Sequence, residues 1–168
     1  HTLTVRDVNS CVLTINYTVG DNPLPTASVT NSININCFGG STGSFTVAAL
    51  TGIAPFTYSL TAPVQSNTSG VFTGLPAGAY NVTVSDNTGC TTTTSVTLTQ
   101  PTALTLTTTA LAANCFGSAT GTVSASGSGG VAPYTYLWPA LASNTNATVS
   151  NVAAGTYSVT QTDANGCT

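Results

Sequence analysis

The chain repeats itself at an interval of about 78 residues, and this period fixes its organisation before any strand is assigned. Asn36-Cys37-Phe38-Gly39 returns as Asn114-Cys115-Phe116-Gly117, and Ala54-Pro55-Phe56-Thr57-Tyr58 as Ala132-Pro133-Tyr134-Thr135-Tyr136, both 78 positions on. Gly78-Ala79-Tyr80 returns as Gly155-Thr156-Tyr157, and Asp86-Asn87-Thr88-Gly89-Cys90 as Asp163-Ala164-Asn165-Gly166-Cys167, both 77 positions on. The opening segment keeps the register, with Thr2 to Cys11 aligning on Asn81 to Cys90 at an offset of 79. The period therefore predicts the closing part (strands F and G) of one module over 1–22, a complete module over 23–100, and a following module over 101–168 without its last strand. It also makes the chain read as a piece of a longer array. That accounts for the missing basic and apolar regions of a signal peptide. Pro23 and Pro25 at one boundary and Gln100-Pro101 at the other stiffen the joints, and neither boundary has a long Gly/Ser run.

Within the complete module, Tyr80, Val82 and Val84 alternate with Asn81, Thr83 and Ser85. A period of two is that of a half-buried strand. Asp86 to Gly89 is turn chemistry, and Thr91 to Thr99 supplies the return strand of a hairpin. Ser28–Asn36 and Ser44–Leu50 predict a second hairpin around Phe38 to Gly43, and Phe56–Leu60 and Gly70–Leu75 two further short strands. Six or seven short strands within one such module is the pattern of a small Ig-like β-sandwich, so the expected fold is all-β with tandem modules in an elongated array. Leu75-Pro76-Ala77-Gly78-Ala79-Tyr80 has the form of a tyrosine corner, in which the Tyr hydroxyl ties back to the chain just before it. Val152 to Tyr157 repeats it. Tyr80 and Tyr157 are thus expected to be structural.

Charged residues make up 3% of the chain, with Arg6 the only Lys or Arg and a net charge of −3. A nucleic-acid binder needs a basic footprint to displace counterions, so that class is excluded. Electrostatic attachment to anionic lipid fails for the same reason. No stretch has the roughly 20 apolar residues of a membrane-spanning helix. A membrane β-barrel would present an apolar outer row, whereas the outward rows here are Thr, Ser and Asn. Membrane insertion is therefore not expected.

The ordered landmarks resemble a known family. Cys37-Phe38-Gly39-Gly40-Ser41-Thr42-Gly43-Ser44, then Ala54 to Tyr58, then Ala77 to Cys90, then Val96-Thr97-Leu98-Thr99-Gln100-Pro101 are similar to the SprB repeat. That repeat occurs in tandem in very large surface proteins of gliding bacteria. The resemblance covers essentially the whole chain. It implies a secreted, Ig-like or PKD-like cell-surface module, export by type IX secretion, and a role in adhesion or gliding. It carries over no catalytic residue. Trp138 after Tyr134-Thr135-Tyr136 fits the family's tendency, while the complete module has Leu60 there.

The five cysteines occupy two module positions. Cys37 and Cys115 lie in the first (AB) hairpin, and Cys11, Cys90 and Cys167 in the last (FG) one. Surface export makes disulfides plausible, and a module this small gains from a staple. One pairing lies within modules, Cys37 with Cys90 and Cys115 with Cys167. Strand alternation argues against it, because the AB and FG turns then lie at opposite poles, about 26 Å apart for an 8-residue strand. Bonded cysteines need Cα atoms within about 7 Å. The AB pole of one module faces the FG pole of the next, which favours Cys37 with Cys167 and leaves Cys11, Cys90 and Cys115 to pair outside the segment. Zinc has no CxxC pair and no second His to support it.

Chemistry has little to work with. His1 sits at a tyrosine position without a partner, so a core-edge substitution accounts for it better than a catalytic base does. Asp7, Asp86 and Asp163 share one turn position in three modules, too far apart for a glycosidase pair, and one Asp per turn is weak for calcium. Each is expected to close its own turn. The Gly-rich Ser126–Gly130 stretch lacks the Lys and helix of a phosphate loop. Sequons at Asn16, Asn67, Asn81 and Asn146 arise readily in a Thr-rich chain. Phe38 and Phe116, at equivalent AB turns, are the candidate surface contacts for sugars; packing at the module junction is the plainer alternative. The sequence thus reads as a non-enzymatic, cofactor-free structural and adhesive segment of an extracellular surface filament. Its expected partners are neighbouring modules, with surface polysaccharide or other filament subunits beyond them. A carbohydrate-binding or spacer module and a self-assembling fibre subunit are the alternatives.

Overall fold

A computed structural model describes residues 1–168, and its fourteen elements are all strands. They are β1 (Thr2–Arg6), β2 (Val12–Asn16), β3 (Thr26–Ile33), β4 (Gly43–Thr51), β5 (Thr57–Thr61), β6 (Val64–Asn67), β7 (Val71–Leu75), β8 (Gly78–Ser85), β9 (Thr91–Leu98), β10 (Thr105–Leu111), β11 (Gly121–Ser128), β12 (Thr135–Leu137), β13 (Thr148–Val152) and β14 (Thr160–Thr162). β1 and β2 form a two-stranded hairpin. β3–β4–β7 and β6–β5–β8–β9 are the two sheets of a sandwich, and β10–β11–β13 and β12–β14 repeat the plan in reduced form. Every pairing is antiparallel. The expected all-β sandwich modules are therefore present. The first hairpin strand starts and stops earlier than its sequence pattern indicated, over Thr26–Ile33, and β6 is a strand the pattern did not reveal.

Alternation decides what is buried. β8 points Tyr80, Val82 and Val84 inward, and β4 answers with Phe45 and Val47 from the other sheet. Phe72, Leu75, Leu98, Leu60, Tyr58 and Ile35 complete one cluster. Phe45 lies 5.2 Å from Phe72 and 5.7 Å from Tyr80 between ring centroids, within the favourable range for tilted aromatic pairs. The outward residues of β9 are Thr91, Thr93, Ser95 and Thr97, all exposed. The second aromatic of the Ala-Pro-Phe-Thr-Tyr landmark ties the sheets together, since the Ala49 N–H donates to the Tyr58 hydroxyl at 3.2 Å. Gly127 donates to Tyr136 in the same way at 2.9 Å.

The next module fills the same space with different side chains. Phe45, Val47 and Leu60 are replaced by Val123, Ala125 and Trp138, so volume lost on one sheet is regained on the other. Trp138 is buried and its indole N–H donates to the Asn146 carbonyl at 2.9 Å. Likewise Ala49 and Val84 become Gly127 and Gln161. A methyl group on Gly127 would collide with the Gln161 amide, so the smaller residue makes room for the longer one. Gln161 is nevertheless 5% exposed, and neither end of its amide meets a protein partner. A buried polar group left unpaired costs about 1–3 kcal/mol. Gln161→Met, which keeps the unbranched shape and removes the amide, is expected to stabilise this module by about 1 kcal/mol in denaturant unfolding.

Candidate functional site

The site with the most structure around it is the junction between the two sandwiches, and it is built from two turns. The first is the turn between β8 and β9, with its equivalents between β1 and β2 and after β14. Its aspartate accepts hydrogen bonds from the backbone two and four positions on. Asp163 Oδ1 takes the N–H groups of Asn165 (2.9 Å) and Cys167 (2.9 Å), Asp86 Oδ1 those of Thr88 (2.9 Å) and Cys90 (3.0 Å), and Asp7 Oδ1 those of Asn9 (2.9 Å) and Cys11 (2.8 Å). The residue before each Cys is in the left-handed region, Gly89 at φ 84° and Gly166 at 82°, which glycine adopts without a Cβ clash. Ser10 holds the same conformation at 71°.

The carboxylate does more than close its turn. Its second oxygen accepts the N–H of Val131 (2.9 Å) in one module and Ile53 (3.3 Å) in the other, tying the turn to the loop before the third strand. The backbone adds a bond back, from Ala164 to Val131 and from Asn87 to Ile53. Both aspartates are buried. The Thr88 hydroxyl, 2.7 Å from Oδ1, is the main cause holding the Asp86 carboxyl below its usual range, against burial and with the help of backbone donors. At Asp163, burial pushes the carboxyl up, but the N–H groups of Val131, Cys167, Asn165 and Gly166 outweigh it and the net direction is down.

The second turn joins β3 to β4. Asn36 N–H donates to Thr42 Oγ1 (3.1 Å) and Gly40 N–H to the Cys37 carbonyl (3.0 Å). Ile35 N–H donates to the Thr99 carbonyl (2.9 Å), which puts this turn at the end of β9 and the β8–β9 turn at its start. The two turns of one module therefore lie at opposite poles, about 26 Å apart along an 8-residue strand. Across the junction they meet. Cys37 is bonded to Cys167 with Cα atoms 5.7 Å apart. The Asn165 side-chain amide donates to the Asn36 carbonyl (2.8 Å), and Gly39 N–H donates to Gln100 Oε1 in the linker (2.8 Å). The within-module pairings do not occur, and Cys11, Cys90 and Cys115 are free thiols. A cleft of about 510 Å³ lies beside the bond, lined by Phe38 from one pole and by Ala103, Leu104 and Gly130 from the other. Phe38 is half covered there (58% exposed), whereas Phe116 at the opposite end stands fully exposed (109%).

The two tyrosines lie at the corners. Tyr80 donates to the Pro76 carbonyl at 2.6 Å and Tyr157 to that of Ala153 at 2.8 Å. Burial pushes the Tyr80 hydroxyl up. No group of three His, Cys, Asp or Glu side chains converges anywhere. Sequence reasoning did not single out Asn36 and Asn165, although Asn36 heads the landmark that recurs at Asn114. It also missed the bonds from Asp86 and Asp163 to loops far upstream in their modules.

A carboxyl held low in the folded state stabilises above its unfolded value and loses that contribution as the pH falls through the folded one. The stabilisation from Asp86 and Asp163 is therefore intact above the ordinary value of 3.8 and disappears below it. In Asp163→Asn the amide turns a donor toward an N–H. Melting curves from about pH 6 down to about pH 2, well below the carboxylate range, are expected to show lower stability at the upper end and a shallower fall into acid.

Comparison with known proteins agrees with the repeat. The SprB repeat profile matches residues 29–65 and 107–142. Each match runs from the first strand of a module past its third, taking in the β3–β4 or β10–β11 turn with its cysteine. A search of curated proteins gives no match. The two matched stretches are offset by the same interval as the landmarks themselves, so the chain is similar to the SprB repeat at equivalent places in its two modules, and that repeat is typical of cell-surface proteins.

Proposed function

We propose that this chain is a structural and adhesive segment of a long extracellular filament or adhesin, a semi-rigid stalk that serves surface attachment or gliding after export by type IX secretion. The observation that carries the reading is the Cys37–Cys167 bond, because it joins two modules that are already joined by the Gln100-Pro101 linker. Two separate covalent connections between the same bodies restrict hinge motion in a way one linker cannot. The bond also closes a loop of about 130 residues, worth roughly 5 kcal/mol against the denatured chain in the loop-entropy account. A bond of this kind persists in oxidising surroundings outside the cell. The exposed Thr and Ser rows supply neutral hydroxyls, so contact with a polysaccharide would be by hydrogen bonding and little affected by salt.

The reading is tested by labelling intact cells of the source organism with antibody raised against this chain. Label along extended surface threads is the expected result. Cells that bind antibody only after lysis would overturn it.

A further inference from the structure

Beside the disulfide, one side-chain amide bridges the two turns of the junction. Asn165 Nδ2 donates to the Asn36 carbonyl at 2.8 Å, next to the Cys37–Cys167 bond. Asn165 is followed by Gly166, the one Asn-Gly step in the chain. Asparagine is among the chemically labile side chains, and a following glycine leaves its backbone nitrogen open to approach. The structure keeps that approach clear. Gly166 has φ 82°, and apart from its chain neighbours no atom lies within 4 Å of where a Cβ would stand. Asn165 is exposed and lines one junction cleft while Gly166 lines the other, so water reaches the step from both sides. The equivalent turns lack this step. Asn9 is followed by Ser10, whose side chain crowds the same approach, and Thr88 stands in the asparagine's place before Gly89.

Two bonds restrain the reacting groups while the junction is closed. The amide to be displaced is held on the Asn36 carbonyl, and the Gly166 N–H that must attack donates to the Asp163 carbonyl at 3.0 Å. Only the first of these depends on the neighbouring module. Opening the staple therefore frees the amide to swing toward Gly166.

We propose that Asn165 is a modification site, at which the Asn165-Gly166 step converts through a succinimide to aspartate or isoaspartate, and that the Cys37–Cys167 staple guards it. The Gly166 nitrogen bonds to Asn165 Cγ and gives up its proton; the Cγ–Nδ2 bond breaks and the amide leaves as ammonia. Water then opens the ring. Addition at Cγ gives aspartate, and addition at the Asn165 main-chain carbonyl gives isoaspartate, so one water enters for one ammonia lost. Either product ends the bond across the junction, because a carboxylate is an acceptor and so is the Asn36 carbonyl it would face. Isoaspartate also lengthens the backbone by one carbon inside the turn, between the Asn165 and Cys167 N–H groups that Asp163 Oδ1 holds. The change runs one way. A junction left open long enough to react closes again more weakly than before.

The test follows the amide-to-acid conversion by peptide mass spectrometry of the purified chain in mildly alkaline buffer, with the staple intact and after reduction by dithiothreitol. Reduction is expected to speed conversion at Asn165 about fivefold, the weight of one neutral hydrogen bond, and Cys37→Ser to do the same without reductant. Asn87, in the equivalent turn and bonded through its N–H to Ile53 of its own module, should keep its rate. Equal rates at Asn165 with and without the staple overturn the proposal. So does an equal acceleration at Asn87, which marks general unfolding in place of an opened junction. A second measurement titrates the staple of Asn165→Asp against reduced and oxidised glutathione. Its half-reduction is expected at a ratio of squared reduced to oxidised glutathione about fivefold lower than for the native chain. A staple as resistant as the native one overturns the claim that the converted residue loosens the junction.

Discussion

Two cysteines at opposite poles of a sandwich cannot reach each other within it, and this constraint organises the molecule. Antiparallel strands send the β3–β4 turn to one end and the β8–β9 turn to the other. A thiol in each turn then faces outward along the long axis. The partner must be the next module, and Cys37 finds it in Cys167. The staple therefore follows from topology and from the repeat register together. A repeat with both cysteines at one pole would staple itself and leave its neighbours hinged.

The near absence of charge takes its meaning from the same turns. Three of the four acids, Asp7, Asp86 and Asp163, occupy the one position where a carboxylate can hold the following cysteine by its N–H. Two of them also reach the loop before the third strand, so one side chain fixes both the turn and its seat on the module. Only Arg6 and Asp21 among the Asp, Glu, Lys and Arg side chains lie away from that position, and the exposed strand rows carry hydroxyls instead. Surface hydroxyls neither repel nor attract at long range, and that suits modules packed end to end.

Much of the architecture was legible in the sequence because it is written in periods. The alternation in Tyr80–Ser85, the turn at Asp86–Gly89 and the regular offset between Cys37 and Cys115 each report local geometry or register directly. What could not be read depends on residues far apart in sequence. β6 is a short edge strand, with Val64 exposed and no apolar alternation to announce it. The Tyr58 and Tyr136 hydroxyls bond across sheets, and nothing local distinguishes them from ordinary core tyrosines. The exchange of Val84 for Gln161 becomes intelligible only beside the exchange of Ala49 for Gly127. The junction lay in between. The cysteine positions were plain in the register, but the Asn165–Asn36 bond required the two turns to be placed face to face.

The central claim is mechanical, and pulling the chain by its ends tests it most directly. Tension entering at residue 1 runs through β1 to β3, reaches Cys37, and crosses the disulfide to Cys167. The strands from β4 to β14 are bypassed. Single-molecule stretching of the oxidised chain is therefore predicted to release no length from the 130-residue interval between the two cysteines. Stretching after reduction should release roughly 450 Å, at about 3.5 Å per residue. Release of that length from the oxidised chain would show that the staple does not carry the load, and would contradict the account.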